Sequence, residues 1–367
     1  MNLISCDFIS KDKGMNGMQV WEAMAEEGFE EIVFASDPAN GLKAVIVLHN
    51  TQAGPALGGC RMWNYASEEE ALTDAMKLAR GMTYKSAISG LPYGGGKAVI
   101  WGDPSKDKSE AMFRSFGRFL QRLKGRYVTG VDLGTTVQDM DAIAQETSYV
   151  TDMTGTLGGS GNYTAEMTAY GVYLGIEASL QEAEGSRSLA GTRVAVQGLG
   201  KVGYALCRYL RKAGAELLVS DVNGALTDQA VREFSASAVS PGAIYAQDCE
   251  VFAPCALGGV LDRRVLAQLS CRVVAGAANN QLASPEAAAE LKARGILYAP
   301  DYAINAGGII ATALELAGSG AEDIRRRVET IGPTLADVYR LARSAGLNTA
   351  QAAGQLAEAK LAARLQR

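Results

Sequence analysis

The chain has 367 residues, 48% of them apolar, with 35 basic and 40 acidic side chains and a net charge of −5. That length accommodates two domains with full cores, and the acidic balance offers no footprint for nucleic acid or an anionic membrane. The first twenty residues carry Asp7, Lys11 and Lys13 without an apolar core, and no eighteen-residue apolar run follows, so neither a secretory signal nor a membrane span is expected and the chain reads as cytoplasmic.

Residues 1 to 16 read as a loose extension. A helix is predicted over Met18 to Gly28, a strand over Glu31 to Ala35, the turn DPANG, and a second strand over Lys43 to Leu48. Glycine-rich GPALGG (54 to 59) precedes an acidic helix from Ser67 to Met82, which Ser67 and Glu70 could open as a capping box. A strand (AVIWG) follows Lys97, then a helix from Ser109 to Leu123 and a strand, RYVTGVD, ending at Asp132. Strands alternating with helices predict an α/β fold. TGTLGGSGN (154 to 162) suits a hinge. After a helix at Thr168 to Glu182, a second α/β unit runs through TRVAVQ, GLGKVG, a helix, AELLVSD, and strands at CEVFAP, CRVVAGA and GILYAP; an Ala-rich helix starts near Gly346.

Six cysteines, Cys6, Cys60, Cys207, Cys249, Cys255 and Cys271, form no CxxC pair and cluster with no histidine, so no metal site is expected and the thiols read as reduced. The only histidine, His49, lies in the strand pattern KAVIVLHN and reads as structural. Arg325, Arg326 and Arg327 read as a solvated helix face.

Gly198, Gly200 and Gly203 form G-x-G-x-x-G between an apolar strand and a helix, enclosing Lys201 and Val202. The first glycine allows the tight turn, the second admits a pyrophosphate, and the third lets helix and strand pack closely. Asp221 ends the next strand at the spacing expected of an acid that accepts ribose hydroxyls and repels a 2′-phosphate, which favours NAD over NADP.

Lys85, in GMTYK, and Lys97, in GGGK, sit in glycine-dense apolar stretches where an ammonium is costly without a partner or a task. Neighbouring ammoniums would repel, and with desolvation this lowers a lysine pKa towards that of a general base. Asp132, at the carboxyl end of its strand, is placed to meet them. Around a small zwitterion, one lysine would grip the carboxylate, the other move protons, and the aspartate handle the amino group. The spacing alone leaves open a plainer alternative of two surface lysines and a helix-capping aspartate.

GPALGGCRMW, the GMTYK and GGGK pair, VDLGTT, QGLGKVG, APCALGG, AGAANNQL and YAPDYAINAGG, in order across residues 19 to 365, resemble the Glu/Leu/Phe/Val amino-acid dehydrogenases, most nearly the leucine and phenylalanine branch. The resemblance implies an α/β chain of two domains around a cleft. An N-terminal substrate-binding and oligomerisation domain (residues 1–150, joined by a C-terminal helix at 330–367) would face a Rossmann-type NAD-binding domain (151–329). It implies that Lys85 binds the substrate α-carboxylate, Lys97 is the catalytic lysine, and Asp132 exchanges protons with the amino nitrogen. Asn280 and Asn305 would contact substrate and nicotinamide, Asn279 and Thr168 the cofactor, and the Gly58–Gly59 backbone the substrate. The activity implied is NAD-dependent, reversible oxidative deamination by a homo-oligomer of two to eight subunits, with no nucleic acid or membrane partner.

An apolar pocket of Leu57, Met82, Ile309 and Thr312 would leave a glutamate side chain without a countercharge. Gly130 stands where relatives carry alanine or glycine; lacking a methyl, it would deepen the pocket for an aromatic ring, whereas Ile309 adds bulk. Leucine, valine, isoleucine and phenylalanine all remain open as substrates. Glu166 departs from the family pattern and could alter hinge behaviour or nicotinamide contacts. The alternatives are a catalytically silent NAD-binding regulator and a hydroxy-acid dehydrogenase. Retention of both lysines and Asp132 argues against the regulator. The hydroxy-acid enzymes would need an acid/base histidine, and His49 is not placed for that role.

Overall fold

The computed structural model describes residues 19–365; the extension expected over residues 1–16 lies outside them. The chain divides into two compact units, one comprising residues 19–163, 312–321 and 357–365, the other 164–311 and 322–356.

In the first unit, helix α1 (Val20–Glu27) leads into strands β1 (Glu31–Asp37), β2 (Leu42–Asn50), β3 (Ala56–Leu57) and β4 (Cys60–Trp63). Helix α2 (Glu68–Ile88), β5 (Gly94–Trp101), α3 (Glu110–Arg122), β6 (Tyr127–Val128) and α4 (Val137–Ala144) follow. The sheet order is β1-β2-β5-β3-β6, with β4 also paired to β5. Strands β1, β2 and β5 are antiparallel, while β3 and β4 run parallel to β5.

Alternation divides the sheet into two buried faces. Ile46, Leu48, Ala98 and Ile100 pack with Phe113 and Phe116 of α3, whereas Val45, Val47 and Val99 pack with Ala71, Leu72, Ala75 and Met76 of α2. Lys97, two residues before Val99, therefore faces α2. The Ser67 hydroxyl caps α2 by accepting the Glu70 N–H, but the Glu70 carboxylate accepts the Ala66 N–H instead of that of Ser67, so only half of the expected box forms. The helix runs past Met82 to Ile88 and places Lys85 in its last turn, where the helix dipole favours a cation.

The strand expected over RYVTGVD pairs regularly only at Tyr127–Val128, with single bridges from Thr129 to Val150 and from Cys60 to Val131. The Asp152 carboxylate takes the Val131 N–H, a donor that a continued ladder would use.

The second unit begins with α5 (Tyr163–Glu184), β7 (Arg193–Gln197), α6 (Lys201–Lys212), β8 (Glu216–Ser220), α7 (Gly224–Phe234) and β9 (Ser237–Ala238). It continues through β10 (Val251–Pro254), α8 (Arg263–Leu266), β11 (Val273–Val274), α9 (Pro285–Ala293), β12 (Leu297–Tyr298) and α10 (Asp301–Ile304). Helix α11 (Gly307–Leu316) is divided between the units, and α12 (Ala321–Val328), α13 (Ile331–Ala345) and α14 (Thr349–Leu365) complete the described chain. All pairings in this sheet are parallel and the order is β12-β11-β10-β7-β8-β9. The strand order reverses beside β7, the topological switch point of a doubly wound sheet.

The C-terminal helices do not join the first unit as one block from residue 330. Ile331 and Leu335 of α13 lie against Gly171 and Gly175 of α5, and the Tyr339 hydroxyl meets that of Ser179 at 2.6 Å. Only the end of α14 belongs to the first unit: Lys360 Nζ donates to the Ile88 carbonyl at 2.6 Å, and Tyr84 donates to Glu358 at 3.0 Å. Among the described residues no helix is long and apolar enough to cross a membrane.

Candidate active site

The α2 face of the first sheet holds an ionic cluster, half-buried around a buried lysine. Lys97, 4% exposed in the middle of β5, places Nζ 2.8 Å from Asp132 Oδ2. The charge in contact with Lys97 is thus a carboxylate, where the sequence had suggested a second ammonium. Burial alone would raise the Asp132 carboxyl, but Lys97 and Arg61 overcome it and hold the group well below the usual carboxylate range.

Arg61, on β4, faces α2 because Cys60 and Met62 face the other core. Its Nε lies 2.9 Å from the same Asp132 Oδ2, and its Nη1 lies 2.9 Å from Asp74 Oδ2. The Tyr65 hydroxyl donates to that Asp74 oxygen at 2.5 Å. Sequence reasoning missed Arg61, Asp74 and Tyr65. An acid at position 74, at helical spacing from buried Ala71 and Leu78, was the available signal.

The GGGK glycines act through space. A Cβ on Gly95 would lie 2.0 Å from the Thr83 nitrogen, so α2 can rest on β5 only over a glycine. Met82 lies over Gly58, and a Cβ on Gly59 would meet Asp132 Cβ at 2.9 Å. Leu57 is buried opposite Gly95, while Lys85 is half-buried one turn beyond Met82 on α2. Tyr127 donates its hydroxyl to the Gly58 carbonyl at 2.6 Å, and Thr135 accepts the Asp132 N–H at 2.9 Å.

The methyl that Gly130 lacks would not point into open space. A Cβ there would lie 2.4 Å from Asp152 Oδ2 and 2.7 Å from Thr151 Cγ2, so the missing methyl makes room for Asp152. Asp152 is 6% exposed with φ 61°, and its Oδ1 has no hydrogen-bond partner. Burial, with Glu315 nearby, pushes this carboxyl up to about 6 against the pull of the Val131 N–H.

His49 is a satisfied core residue. Its Nδ1 meets Thr83 Oγ1 at 2.8 Å and its Nε2 the Glu27 carbonyl at 3.1 Å, and burial lowers its pKa to about 4.

In the second unit the turn after β7 has the geometry of a dinucleotide site. Gly198 adopts φ 97° against Ala256, and a Cβ on Gly203 would lie 1.9 Å from the Gly198 carbonyl oxygen. Gly200 faces open space and caps α6 with no side chain, leaving the first-turn N–H groups of Val202 and Gly203 to a ligand. Asp221 accepts from the Leu199 N–H at 2.6 Å and the Asn223 N–H at 2.8 Å, bracing the turn.

Nearby loops gather further polar groups. Asn305 is buried, donates to the Ala277 carbonyl at 3.0 Å and to Asn279 Oδ1 at 2.8 Å, and keeps a buried Oδ1 without a partner. Asn279 and Asn280 are exposed, the latter at φ 49°. The Thr168 hydroxyl donates to the Thr164 carbonyl at 2.8 Å and lies beside Gly308, which leaves it an acceptor. On α11, Ile309 is buried and Thr312 half-buried. The Glu166 carboxylate pairs with Arg208 of α6 at 3.2 Å.

Residues 30–149 match the Glu/Leu/Phe/Val dehydrogenase dimerisation domain, and residues 158–234 and 229–366 match the Glutamate/Leucine/Phenylalanine/Valine dehydrogenase domain. The chain belongs to the Glu/Leu/Phe/Val dehydrogenase family. It is 51% identical to a leucine dehydrogenase of Geobacillus stearothermophilus over 94% of both chains. It is 42% identical to a phenylalanine dehydrogenase of Bacillus thermotolerans over 96% of this chain and 93% of that one. The crystal structure of L-tryptophan dehydrogenase from Nostoc punctiforme superposes with a TM-score of 0.81 at 40% identity, over 95% of this chain and all of that one. The protein is an amino-acid dehydrogenase of the leucine/phenylalanine branch.

Proposed function

We propose that this dehydrogenase catalyses the NAD-dependent, reversible oxidative deamination of an apolar L-amino acid. The contact between buried Lys97 and half-buried Asp132 carries the reading: it supplies a proton-exchanging amine and a fixed negative charge on one wall. Lys85, at the positive-tolerant end of α2, takes the substrate carboxylate. Leu57, Met82, Ile309 and Thr312 carry no charge to meet a side-chain carboxylate, which argues against glutamate and favours leucine, valine, isoleucine or phenylalanine.

Residues Gly198, Gly200, Val202 and Gly203 fit a dinucleotide pyrophosphate, because the Gly200 space is open and the α6 N-terminus is uncapped. Asp221 keeps acceptor capacity for ribose hydroxyls, supporting NAD over NADP. The unpartnered Asn305 oxygen and the Thr168 acceptor suit a carboxamide, flanked by Asn279 and Asn280. Bound NAD supplies the hydride acceptor for the substrate Cα hydrogen.

The chain's own groups perform the rest. With Lys97 neutral, the substrate ammonium facing Asp132 gives one proton to Lys97, which releases it to solvent as the proton of the overall balance. The neutral amine can then lose its Cα hydrogen as hydride, and Asp132 stabilises the iminium. Lys97 takes a proton from the water that attacks the iminium carbon, and returns it as the carbinolamine collapses. The balance is amino acid, NAD⁺ and water giving 2-oxo acid, ammonium, NADH and a proton.

The enzyme assembles as a homo-oligomer in the cytoplasm on this reading. Strand β1 is a sheet edge carrying Phe34, 57% exposed, and α1 exposes Trp21 at 80%; such edges invite pairing. The described cysteines are free thiols, as a reducing compartment allows.

The test is the initial rate of NADH formation with L-Leu, L-Val, L-Ile, L-Phe, L-Trp and L-Glu, beside Lys97→Ala. Turnover of apolar substrates that disappears in the variant supports the reading. Tight NAD binding with no turnover on any substrate would leave the silent regulator in its place.

A further inference from the structure

We propose that Arg61 is a positioning residue for the deamination, a permanent cation that holds Asp132 in place while the Lys97 proton comes and goes. The inference rests on the reading of Lys97 and Asp132 as the reacting pair. Arg61 Nε and Lys97 Nζ both approach Oδ2 of Asp132, at 2.9 and 2.8 Å, so Oδ1 is left for the substrate nitrogen. When Lys97 gives up its proton, Asp132 would lose its only cation if no other were present. A buried carboxylate without a partner is strongly disfavoured and would shift or take up a proton itself. A guanidinium does not deprotonate in proteins, so Arg61 keeps Asp132 charged and oriented through the whole cycle.

Arg61 is itself fixed. Its second arm meets Asp74 Oδ2 at 2.9 Å, and that oxygen also accepts the Tyr65 hydroxyl at 2.5 Å. The Trp101 indole N–H holds the Tyr65 carbonyl at 3.0 Å. Asp74 lies on α2, the helix that carries Lys85, so the brace ties the β4 arginine to the proposed carboxylate-binding element. With Lys97 protonated the four charges cancel. With Lys97 neutral the cluster carries one net negative charge, the complement of an iminium cation.

The experiment compares full-length Arg61→Gln, Arg61→Lys, Asp74→Asn and Lys97→Ala by steady-state kinetics across pH, with Arg61→Ala assayed in added guanidinium. Arg61→Gln is expected to lower kcat about 100-fold with the KM for NAD unchanged. Its acid limb of kcat/KM should move to higher pH, because Asp132 loses a countercharge. Asp74→Asn should lower kcat by less than Arg61→Gln and without that shift to higher pH, because Arg61 loses one of its two anchors while Asp132 keeps its cation. Arg61→Lys should recover little, since an ammonium lacks the fork that bridges two carboxylates, and guanidinium should restore part of the Arg61→Ala activity. A folded Arg61→Gln protein with wild-type kcat and pH profile overturns the proposal, as does a loss with no displaced limb and no guanidinium rescue. If Arg61→Gln fails to fold, Asp74→Asn decides by whether kcat falls at an unchanged KM for NAD. Wild-type turnover in Lys97→Ala would instead overturn the reading beneath it.

Discussion

In the parallel-sheet unit, the groups arranged for a ligand are largely backbone: the Gly198 turn, the open Gly200, and the uncapped first turn of α6, with Asp221 bracing the loop from behind. In the mixed-sheet unit they are charged side chains from four separate elements, Arg61 on β4, Asp74 on α2, Lys97 on β5 and Asp132 beyond β6, joined through two carboxylate oxygens. A backbone site must hold the same charged phosphates in any dinucleotide, so short-range chain geometry is enough. A site that moves protons needs ionised groups kept in balance out of water, and partners distant in sequence must supply that balance.

Single side chains should therefore matter most in the mixed-sheet unit. Lys97→Ala is expected to lower turnover about 10²–10⁴-fold, the range of a lost general acid/base, while NAD affinity measured by fluorescence titration stays at the wild-type value. A large loss of NAD affinity would mean that the two sets of groups are not separable. The converse variant is Gly203→Ala. Its Cβ would lie 1.9 Å from the Gly198 oxygen, so α6 must move off β7 at about 1–3 kcal/mol. NAD affinity should fall about tenfold or more, with kcat largely retained at saturating cofactor. Unchanged affinity would remove the case for a backbone-built site.

The two sites differ in legibility for the same reason. G-x-G-x-x-G and Asp221 lie within one βαβ unit, and their roles follow from adjacent residues. Lys97 and Asp132 can be singled out, yet their contact depends on β5 and the segment after β6 being brought together in one sheet through β3. Arg61 escapes notice because only the alternation of β4 reveals that it points at α2. RYVTGVD reads as a full strand because nothing local announces that Asp152 takes the Val131 N–H. The extent of α13 and α14 is hidden for a related reason, since periodicity shows that a helix has an apolar face but not what covers it. The pocket role expected of Gly130 is not supported by its surroundings, as its absent methyl points at Asp152.

Asp152 tests that last point with a smaller effect. Its carboxyl is raised to about 6 by burial and Glu315, so folding favours the protonated form. The associated stability is complete below the unfolded carboxylate range and is lost as pH rises through about 6. Asp152→Asn keeps an acceptor for Val131 and tolerates the left-handed backbone, but it cannot ionise. It should be the more stable protein above that pH, by at most a few kcal/mol, since each tenfold change in proton affinity is worth about 1.4 kcal/mol. The advantage should vanish in acid. Thermal unfolding across pH reads this directly. Gly130→Ala should destabilise the wild type by about 1–3 kcal/mol and do so much less in an Asp152→Gly background, a coupling that marks direct contact. A changed leucine-to-phenylalanine rate ratio without that coupling would return Gly130 to the pocket.

The smallest effect is expected at Glu166, the acid that departs from the family pattern. Its carboxylate lies 3.2 Å from Arg208, a side chain more than half exposed on α6, and the pair links the first turn of α5 to the helix behind the dinucleotide turn. A solvated pair of this kind contributes about 0–1 kcal/mol and weakens in salt. Glu166→Gln should therefore shift the unfolding midpoint only slightly, with the difference closing as ionic strength rises, and leave the KM for NAD within a factor of about two, which corresponds to well under 1 kcal/mol. A tenfold change in that KM would show that the backbone-built turn depends on a side-chain charge after all, and the contrast between the two units would then be one of degree.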